Sequence, residues 1–370
     1  MTAVVGSAPG RVNLIGEHTD YNGGFALPLA LPHRTRARVV RRDDDTVTVA
    51  STAPGASPVS FTVPTRPGDV DGWAAYVAGV FWSLREAGHD VPGADVHIDS
   101  DVPRGAGLSS SAALECSVLV ALDHLAGLGL DRTRVALLAQ RAENEYVGAP
   151  TGAMDQMAAM YGGAGQVVLF DARAVSAEPI PCDLSAAGLT LLIIDTRAEH
   201  QHAGGEYGAR RATCEDAAAR LGVSSLREVQ DEPVDAVLAR LGDDDVMRRR
   251  VRHVLTENAR VLSTVELLRD GKVSDIGPVL TASHASMRDD YEITVPELDV
   301  AVDSALSAGA LGARMTGGGF GGSVIALTHT SEADDVAATV RSSFARHGFT
   351  EPHVFTAYPA DGAGIEEEPQ

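Results

Sequence analysis

The sequence predicts an α+β protein of two lobes, and three observations carry that expectation. Its 370 residues, 44% of them apolar, suffice for two cores, since folding units usually run ~100–200 residues. The second half, once a run of helices is set aside, orders its elements as β-α-β-β-α-β, the split ferredoxin-like unit. In the first half, strand-like alternation leads into a glycine- and serine-rich turn that opens a helix. The expected lobes are residues 1–180 and 181–358, followed by an acidic tail, 359–370, expected to be disordered.

Val4 to Pro9 reads as a first strand running into a glycine-punctuated loop, Gly10-Arg11-Val12-Asn13-Leu14-Ile15-Gly16-Glu17-His18-Thr19-Asp20-Tyr21-Asn22-Gly23-Gly24. Arg11, Glu17, His18 and Asp20 offer a fork of donors, two carboxylates and an imidazole, a set suited to a polyhydroxylated ligand. A solvated surface turn would have a similar composition. Arg34 to Val40, Thr46 to Ala50 and Val59 to Val63 alternate as strands, and Gly72 to Gly88 reads as a helix with a Tyr76, Val80, Leu84 stripe. Trp73 and Tyr76 are either core or platforms for an adenine ring.

The stretch Pro103 to Ala113 lies between a strand, Ala94 to Ser100, and a helix, Ser110 to Ala126. Gly105 and Gly107 permit φ > 0 and leave backbone N–H groups open to an anion, with Ala106 between them and Leu108 after them. Ser109, Ser110 and Ser111 fall at the helix start, where hydroxyls cap N–H groups or reach a metal ion and the dipole favours negative charge. Such a turn is either a phosphate cradle or an ordinary capped turn. A P-loop and a protein-kinase site are excluded, because both require a lysine on the phosphates and the only lysine, Lys272, sits in the turn-like Asp270-Gly271-Lys272.

A further helix is expected over Thr133 to Val147. The turn Gly148 to Gly152 then delivers Asp155 into an apolar segment. There it is a helix N-terminal charge, or the carboxylate that orients or deprotonates an attacking hydroxyl. Gln166 to Phe170 reads as a strand, Ala174 to Asp183 as a crossing segment, Leu189 to Asp195 as a buried strand and Tyr207 to Leu221 as a helix. Helices fill Pro233 to Ala308. Strands at Leu311 to Met315 and Ser323 to Leu327, a helix striped by Val336, Val340 and Phe344, and a strand at Pro352 to Tyr358 complete the order. Between the two late strands, Gly317 to Gly322 fits Gly-x-Gly-x-x-Gly, but a strand follows it, so a dinucleotide fingerprint is rejected. Five glycines in six residues carry a high ordering entropy, which favours a close-approach role over a loose hairpin. Nothing in the spacing of Glu199, His200, His202 and Glu206 fixes a metal geometry.

Acidic residues outnumber basic ones by 51 to 30, and the formal charge of -21 argues against nucleic-acid and anionic-membrane partners. Three cysteines, Cys116, Cys182 and Cys214, without Cys-x-x-Cys spacing, suit a reducing compartment. With no leader-like start and no span of ~20 uninterrupted apolar residues, a cytoplasmic protein is expected.

The stretch Arg11 to Gly24 resembles the galactokinase signature. Pro103 to Ala113 resembles the Pro-x-x-x-Gly-Leu-Ser-Ser-Ser-Ala motif of the wider family that includes homoserine, mevalonate and phosphomevalonate kinases, and Gly317 to Gly322 resembles its third motif. The resemblance implies an N-terminal lobe of ribosomal-protein-S5-like α/β type, a ferredoxin-like C-terminal lobe with a helical insertion, and a cleft between them. It implies phosphoryl transfer from ATP to galactose with Mg2+, with Asp155 and Arg11 as catalytic residues. Glu17, His18, Asp20, Gly152 and Tyr207 match sugar-binding positions. Gly105 to Ser111, Trp73 and Tyr76 match the nucleotide site, and Ser111, Ser110 and Glu143 the metal ligands. Arg104, at a position often apolar, and Glu199, where some relatives carry arginine, depart from the pattern. A catalytically silent sensor of sugar and ATP, and a kinase for N-acetylgalactosamine or arabinose, are the alternatives; a monomer or dimer is expected.

Overall fold

The computed structural model describes residues 3–103, 105–198 and 203–367. Arg104, Glu199, His200 and His202 lie outside the described residues, and so do the departures and the metal question attached to them. The first lobe is built on β1 (Ala3–Asn13), β2 (Phe25–Ala26), β3 (Pro28–Arg41), β4 (Thr46–Ser51) and β5 (Val59–Thr62). It continues with α1 (Ala74–Glu86), β6 (Ala94–Ser100), α2 (Ser110–Ala126), α3 (Arg132–Arg141), α4 (Met154–Tyr161), β7 (Gln166–Asp171) and β8 (Ser176–Pro181). On β3, Thr35, Ala37 and Val39 turn inward while Arg34, Arg36 and Arg38 alternate outward, the period-two pattern of a sheet covered on one side. The covering layer is α1 and α2, whose Val77, Val80, Phe81, Val118, Leu119 and Leu122 pack with Ala37, Val39, Val96 and Ile98.

Two expectations are corrected here. Arg11 belongs to β1, which continues through the residues read as the start of a loop and pairs antiparallel with β3 on both sides of a bulge between Pro9 and Arg11. The segment read as a crossing is largely β8, antiparallel to β7; Pro179 and Pro181 sit on this edge strand, where a missing N–H is tolerated.

The second lobe contains β9 (Leu189–Asp195), α5 (Ala203–Leu221), α6 (Val234–Ala239), α7 (Asp245–Arg269), α8 (Gly277–Ser286), α9 (Pro296–Ser307), β10 (Gly312–Thr316), β11 (Ser323–His329), α10 (Ala333–His347) and β12 (His353–Ala357). Its sheet runs β10-β11-β9-β12 with every pairing antiparallel, the order of a ferredoxin-like unit; α9 and α10 pack together as the unit's two helices, and α5 to α8 form the helical insertion. Both faces of β9 and β11 are buried. Leu192, Ile194, Val324 and Ala326 meet the helices, whereas Leu191, Ile193, Ile325 and Leu327 join Leu14, Leu27 and Leu29 of the first lobe in a shared core. That double burial explains the near-continuous apolar run of β9.

The acidic tail is a third correction. β13 (Gly364–Glu366) pairs antiparallel with Val5 to Ser7 and completes the first-lobe sheet as β13-β1-β3-β6-β4-β5. Glu366 lies 2.9 Å from Arg36 Nε, and Arg34 donates to the Asp361 and Gly362 carbonyls at 2.7 and 2.9 Å. Glu366, one of the acidic residues that suggested disorder, is answered by the outward Arg34 and Arg36 of β3. Among the described residues no helix is long and apolar enough to cross a membrane.

Candidate active site

The bulge in β1 re-aims Arg11 toward α4. Its Nε donates to Asp155 Oδ1 at 2.7 Å and its Nη2 to Asp155 Oδ2 at 2.8 Å, a bidentate fork. Nη1 donates to the Gly107 carbonyl at 2.7 Å. Burial opposes the guanidinium's charge, yet Asp155, with Glu17 and Asp20 beyond it, holds its pKa above the ordinary value. Arg11 is therefore a fixed cation.

Asp155 occupies the first turn of α4, as the turn-delivered helix start predicted. It also accepts a hydrogen bond from Ser109 Oγ. Ser109 makes no cap bond with its side chain: its backbone is left-handed, φ 55°, and its hydroxyl points away from the α2 N–H groups toward the carboxylate. The capping reading fails for this serine. Gly105 and Gly107 adopt φ 73° and 72°, as the turn requires. Ala106 and Leu108 are 0% and 1% exposed, packed into the protein with their carbonyls accepting from Ser323 Oγ and the Arg11 N–H. The other glycine-rich turn backs onto this one: a Cβ on Gly317 would lie 3.3 Å from the Gly107 carbonyl.

Two cavities flank this junction. One, of about 310 Å³, is lined by Arg11, Glu17, His18, Asp20, Gly152, Asp155, Tyr207 and the Gly317-Gly318 backbone. The other, of about 230 Å³, is lined by Trp73, Tyr76, Ser110 and Ser111, with Thr35, Ile98 and Leu114. Ser110 lines the second cavity, whereas Ser109, its neighbour in sequence, bonds to Asp155 of the first. Trp73 also packs on the first-lobe core, which makes it core and lining at once. A larger cleft of about 630 Å³, beside Arg34, Cys182 and Tyr358, holds none of these residues.

In the first cavity, Glu17 accepts from Asn13 Nδ2 and from the Gly317 N–H, both at 2.7 Å. Burial raises its pKa, although Arg314 works in the opposite direction. Asp20 is pushed up to about 6 by burial, with Asp155 and Glu17 adding repulsion. Gly152 leaves room for it: a Cβ there would stand 1.6 Å from Asp20 Oδ2. Tyr207 packs 4.9 Å from the His18 ring, and both nitrogens of that ring are engaged inside the protein, Nδ1 with Tyr21 and Nε2 with the Gly318 carbonyl.

Glu143 sits in a π-helical turn, Ala142–Val147, a distortion that recurs at functional sites. Thr151 Oγ1 and Gln156 Nε2 donate to it at 3.1 and 2.8 Å, and Ser111 also bonds to it. Burial and Asp155 raise its pKa. No group of three or more acidic, histidine or cysteine side chains gathers for a metal among the described residues. Magnesium asks for less, one or two carboxylates with phosphate oxygens completing the shell. The hard oxygens of Glu143 and Ser111 fit it, and buried Glu115 Oε1, without a partner nearby, marks this corner as short of positive charge.

Sequence reading missed the support from the second lobe. Glu257 Oε1 accepts from the Gly16 and Glu17 N–H groups and from Ser283 Oγ, at 3.0, 3.4 and 2.7 Å. Fully buried Arg314 donates to the Asn13 and Leu14 carbonyls at 3.1 and 3.0 Å. Despite burial, Arg260 and Arg314 draw the Glu257 pKa down to about 2. These partners come from elements more than 200 residues away from the loop they hold, and no local signal announces them.

A two-lobed small-molecule kinase is the class that this fold and this pair of cavities define. Residues 75–163 match the family model described as GHMP kinases N terminal domain, residues 264–346 the GHMP kinases C terminal model, and residues 2–41 the galactokinase galactose-binding signature. A galactokinase of Streptomyces coelicolor is 54% identical over 360 residues, 97% of this chain and 93% of that protein. One of Mycobacterium tuberculosis is 53% identical over 356 residues, 96% and 97% of the two chains. The crystal structure of Lactococcus lactis galactokinase complexed with galactose superposes with a TM-score of 0.92 at 33% identity, covering 98% of this chain and 94% of that one. Methanococcus jannaschii mevalonate kinase, at 15% identity and TM-score 0.69, shares the fold. The chain belongs to the galactokinase family.

Proposed function

We propose that the protein transfers the γ-phosphoryl group of ATP to the anomeric hydroxyl of D-galactose, giving α-D-galactose 1-phosphate and ADP, the first committed step of galactose use. The observation that carries this reading is Asp155, which lines the first cavity and is gripped by the Arg11 fork and by Ser109, the neighbour in sequence of Ser110 in the second cavity. A hydroxyl presented there has a carboxylate to orient it or take its proton, and a cation held against that carboxylate. Charge in a loose phosphoryl-transfer state spreads over equatorial oxygens, so positioning and cations matter more than base strength.

Glu17, Asp20 and the Gly152 backbone bind sugar hydroxyls, with Tyr207 and His18 shaping the wall. Trp73 and Tyr76 hold the adenine, and the Gly105 to Ser111 backbone cradles the phosphates. Glu143, Ser111 and Ser110 would hold Mg2+, which supplies positive charge to the phosphates when bound. Arg11 supplies the positive charge from the protein in the absence of a lysine. The buried, unpaired thiols of Cys116, Cys182 and Cys214 support a reducing cytoplasm.

The test is ADP release with Mg-ATP against galactose, glucose, N-acetylgalactosamine, arabinose and mevalonate, with Asp155→Ala as control. Turnover on galactose, lost in the control, is expected. Galactose binding without turnover on any sugar would make the protein a sensor.

A further inference from the structure

His18 is the wall residue with most of its chemistry turned inward. It is 5% exposed and adopts φ 59°, a left-handed backbone uncommon outside glycine and frequent at functional sites. Its Nε2 faces the Gly318 carbonyl at 3.1 Å, and a carbonyl can only accept, so Nε2 carries a proton. Its Nδ1 lies 2.7 Å from the Tyr21 hydroxyl. In a neutral ring Nδ1 then has to accept, and Tyr21 donates.

The same logic runs outward. With its proton committed to His18, the Tyr21 oxygen accepts from Tyr291, 2.7 Å away. The Tyr291 oxygen in turn accepts from the Cys214 thiol at 3.2 Å. The Cys214 sulfur also bonds to the Asn22 side chain, which leaves its S–H for Tyr291. Tyr291 and Cys214 are 0% and 1% exposed, so water does not compete for these bonds. The His18 ring packs at a tilt against Tyr207 and against Tyr291, each 4.9 Å away. Burial lowers the pKa of His18 to about 3, in keeping with a neutral ring. The carbonyl at the end of the chain belongs to the turn whose Gly317 N–H holds Glu17 Oε1 at 2.7 Å.

We propose that Tyr21, Tyr291 and Cys214 are positioning residues: their one-way hydrogen-bond chain fixes His18 as the Nε2–H tautomer and thereby fixes the Gly317-Gly318 wall of the sugar cavity. The chain begins in α5 and passes through the turn after α8, so the helical insertion sets the geometry of a site it does not line. The sugar-affinity part of this inference rests on the galactose reading of the cavity; the tautomer part does not.

The test uses the full chain labelled with 15N-histidine, with His18→Asn to assign the signals. At neutral pH, His18 Nδ1 is expected to be unprotonated and Nε2 protonated. Tyr21→Phe removes the donor to Nδ1, and the signals are expected to move toward a tautomer mixture. One hydrogen bond lost corresponds to a rise in galactose KM of about tenfold, with ATP KM unchanged within about twofold. Cys214→Ser, which keeps an O–H donor, is expected to retain the parent galactose KM. A protonated Nδ1 in the parent protein overturns the proposal, as does a folded Tyr21→Phe variant with unchanged galactose KM or with both KM values rising together. If Tyr21→Phe does not fold, the parent spectrum decides. The stated tautomer in a protein that does not turn over galactose would sink the function and leave the chain standing.

Discussion

Arg11 and Asp155, separated by 144 residues, meet as a two-pronged ion pair that ties the first strand to the helix carrying the candidate catalytic carboxylate. Arg11 is 7% and Asp155 20% exposed, so the pair is shielded on one side and open to the cavity on the other. The carboxylate has one rotational setting, and the cation cannot leave it.

Asp155→Ala is expected to lower kcat by about 10²–10⁴-fold while ATP affinity changes little. Arg11→Lys keeps the charge and loses the fork; kcat is expected to fall by about 10²-fold through misplacement of the carboxylate. Steady-state kinetics beside ATP titration checks both. Equal losses of turnover and ATP affinity in Asp155→Ala would remove its catalytic role.

Asp20 carries a pH signature. Its pKa in the fold, about 6, lies above the ordinary 3.8, so between these values the folded chain holds a proton that the unfolded chain has released. Its contribution to stability therefore falls as pH rises through that window. Asp20→Asn is expected to raise Tm by about 2 °C or more at pH 7.5 and to change it little near pH 4. The same variant is expected to raise galactose KM, because it gives up the carboxylate acceptor. In the parent protein kcat/KM for galactose should drop as pH falls below about 6, and a profile with that limb unchanged in Asp20→Asn would refute the assignment.

Gly152→Ala tests space alone, since the added Cβ meets Asp20 Oδ2 at 1.6 Å. The expected result is loss of galactose binding with ATP binding retained, read by calorimetry with each ligand. Combining it with Asp20→Ala removes the clash and should restore the Tm lost by the single change.

Removing Glu257 takes from buried Arg314 one of its two carboxylate neighbours, Glu17 being the other, and leaves the Gly16 N–H, Ser283 Oγ and Arg260 without the acceptor they share. Breaking such a pair costs about 3–5 kcal/mol, so Glu257→Ala is expected to show a marked loss of stability in urea unfolding, far beyond that of an exposed ion pair such as Lys272 with Asp270.

The elements legible in the sequence were those whose signal is local. Leu189 to Asp195 announces its double burial by a near-continuous apolar run, and Ser110 to Ala126 follows a glycine-rich turn that needs positive φ. β1 was cut short because Gly10 and Arg11 look like loop residues; the bulge that lets a strand carry them has no sequence mark of its own. β8 was hidden by its prolines and β13 by its acidity, both features that an edge strand tolerates. Arg11, Glu17, His18, Asp20, Ser110 and Ser111 were legible inside the motifs that carry the resemblance, whereas Gly152, Asp155, Tyr207, Trp73 and Tyr76 lie outside those motifs and were reached by matching further positions of the family. Asn13 was in view within the first motif, yet its role depends on Glu17 and Thr316 as neighbours. Glu257, Arg314, Tyr291 and Cys214 act by proximity that only folding creates.

The strand that follows the second lobe acts as a clasp on the first. β1 carries Arg11, and one edge of β1 stays open until Gly364 to Glu366 lies against Val5 to Ser7. In the sequence β13 comes after the whole second lobe, so the first-lobe sheet is bordered on that side only by a segment that has crossed to the other lobe and back. The second lobe is thus an excursion between two strands of one sheet, and the first lobe keeps both ends of it.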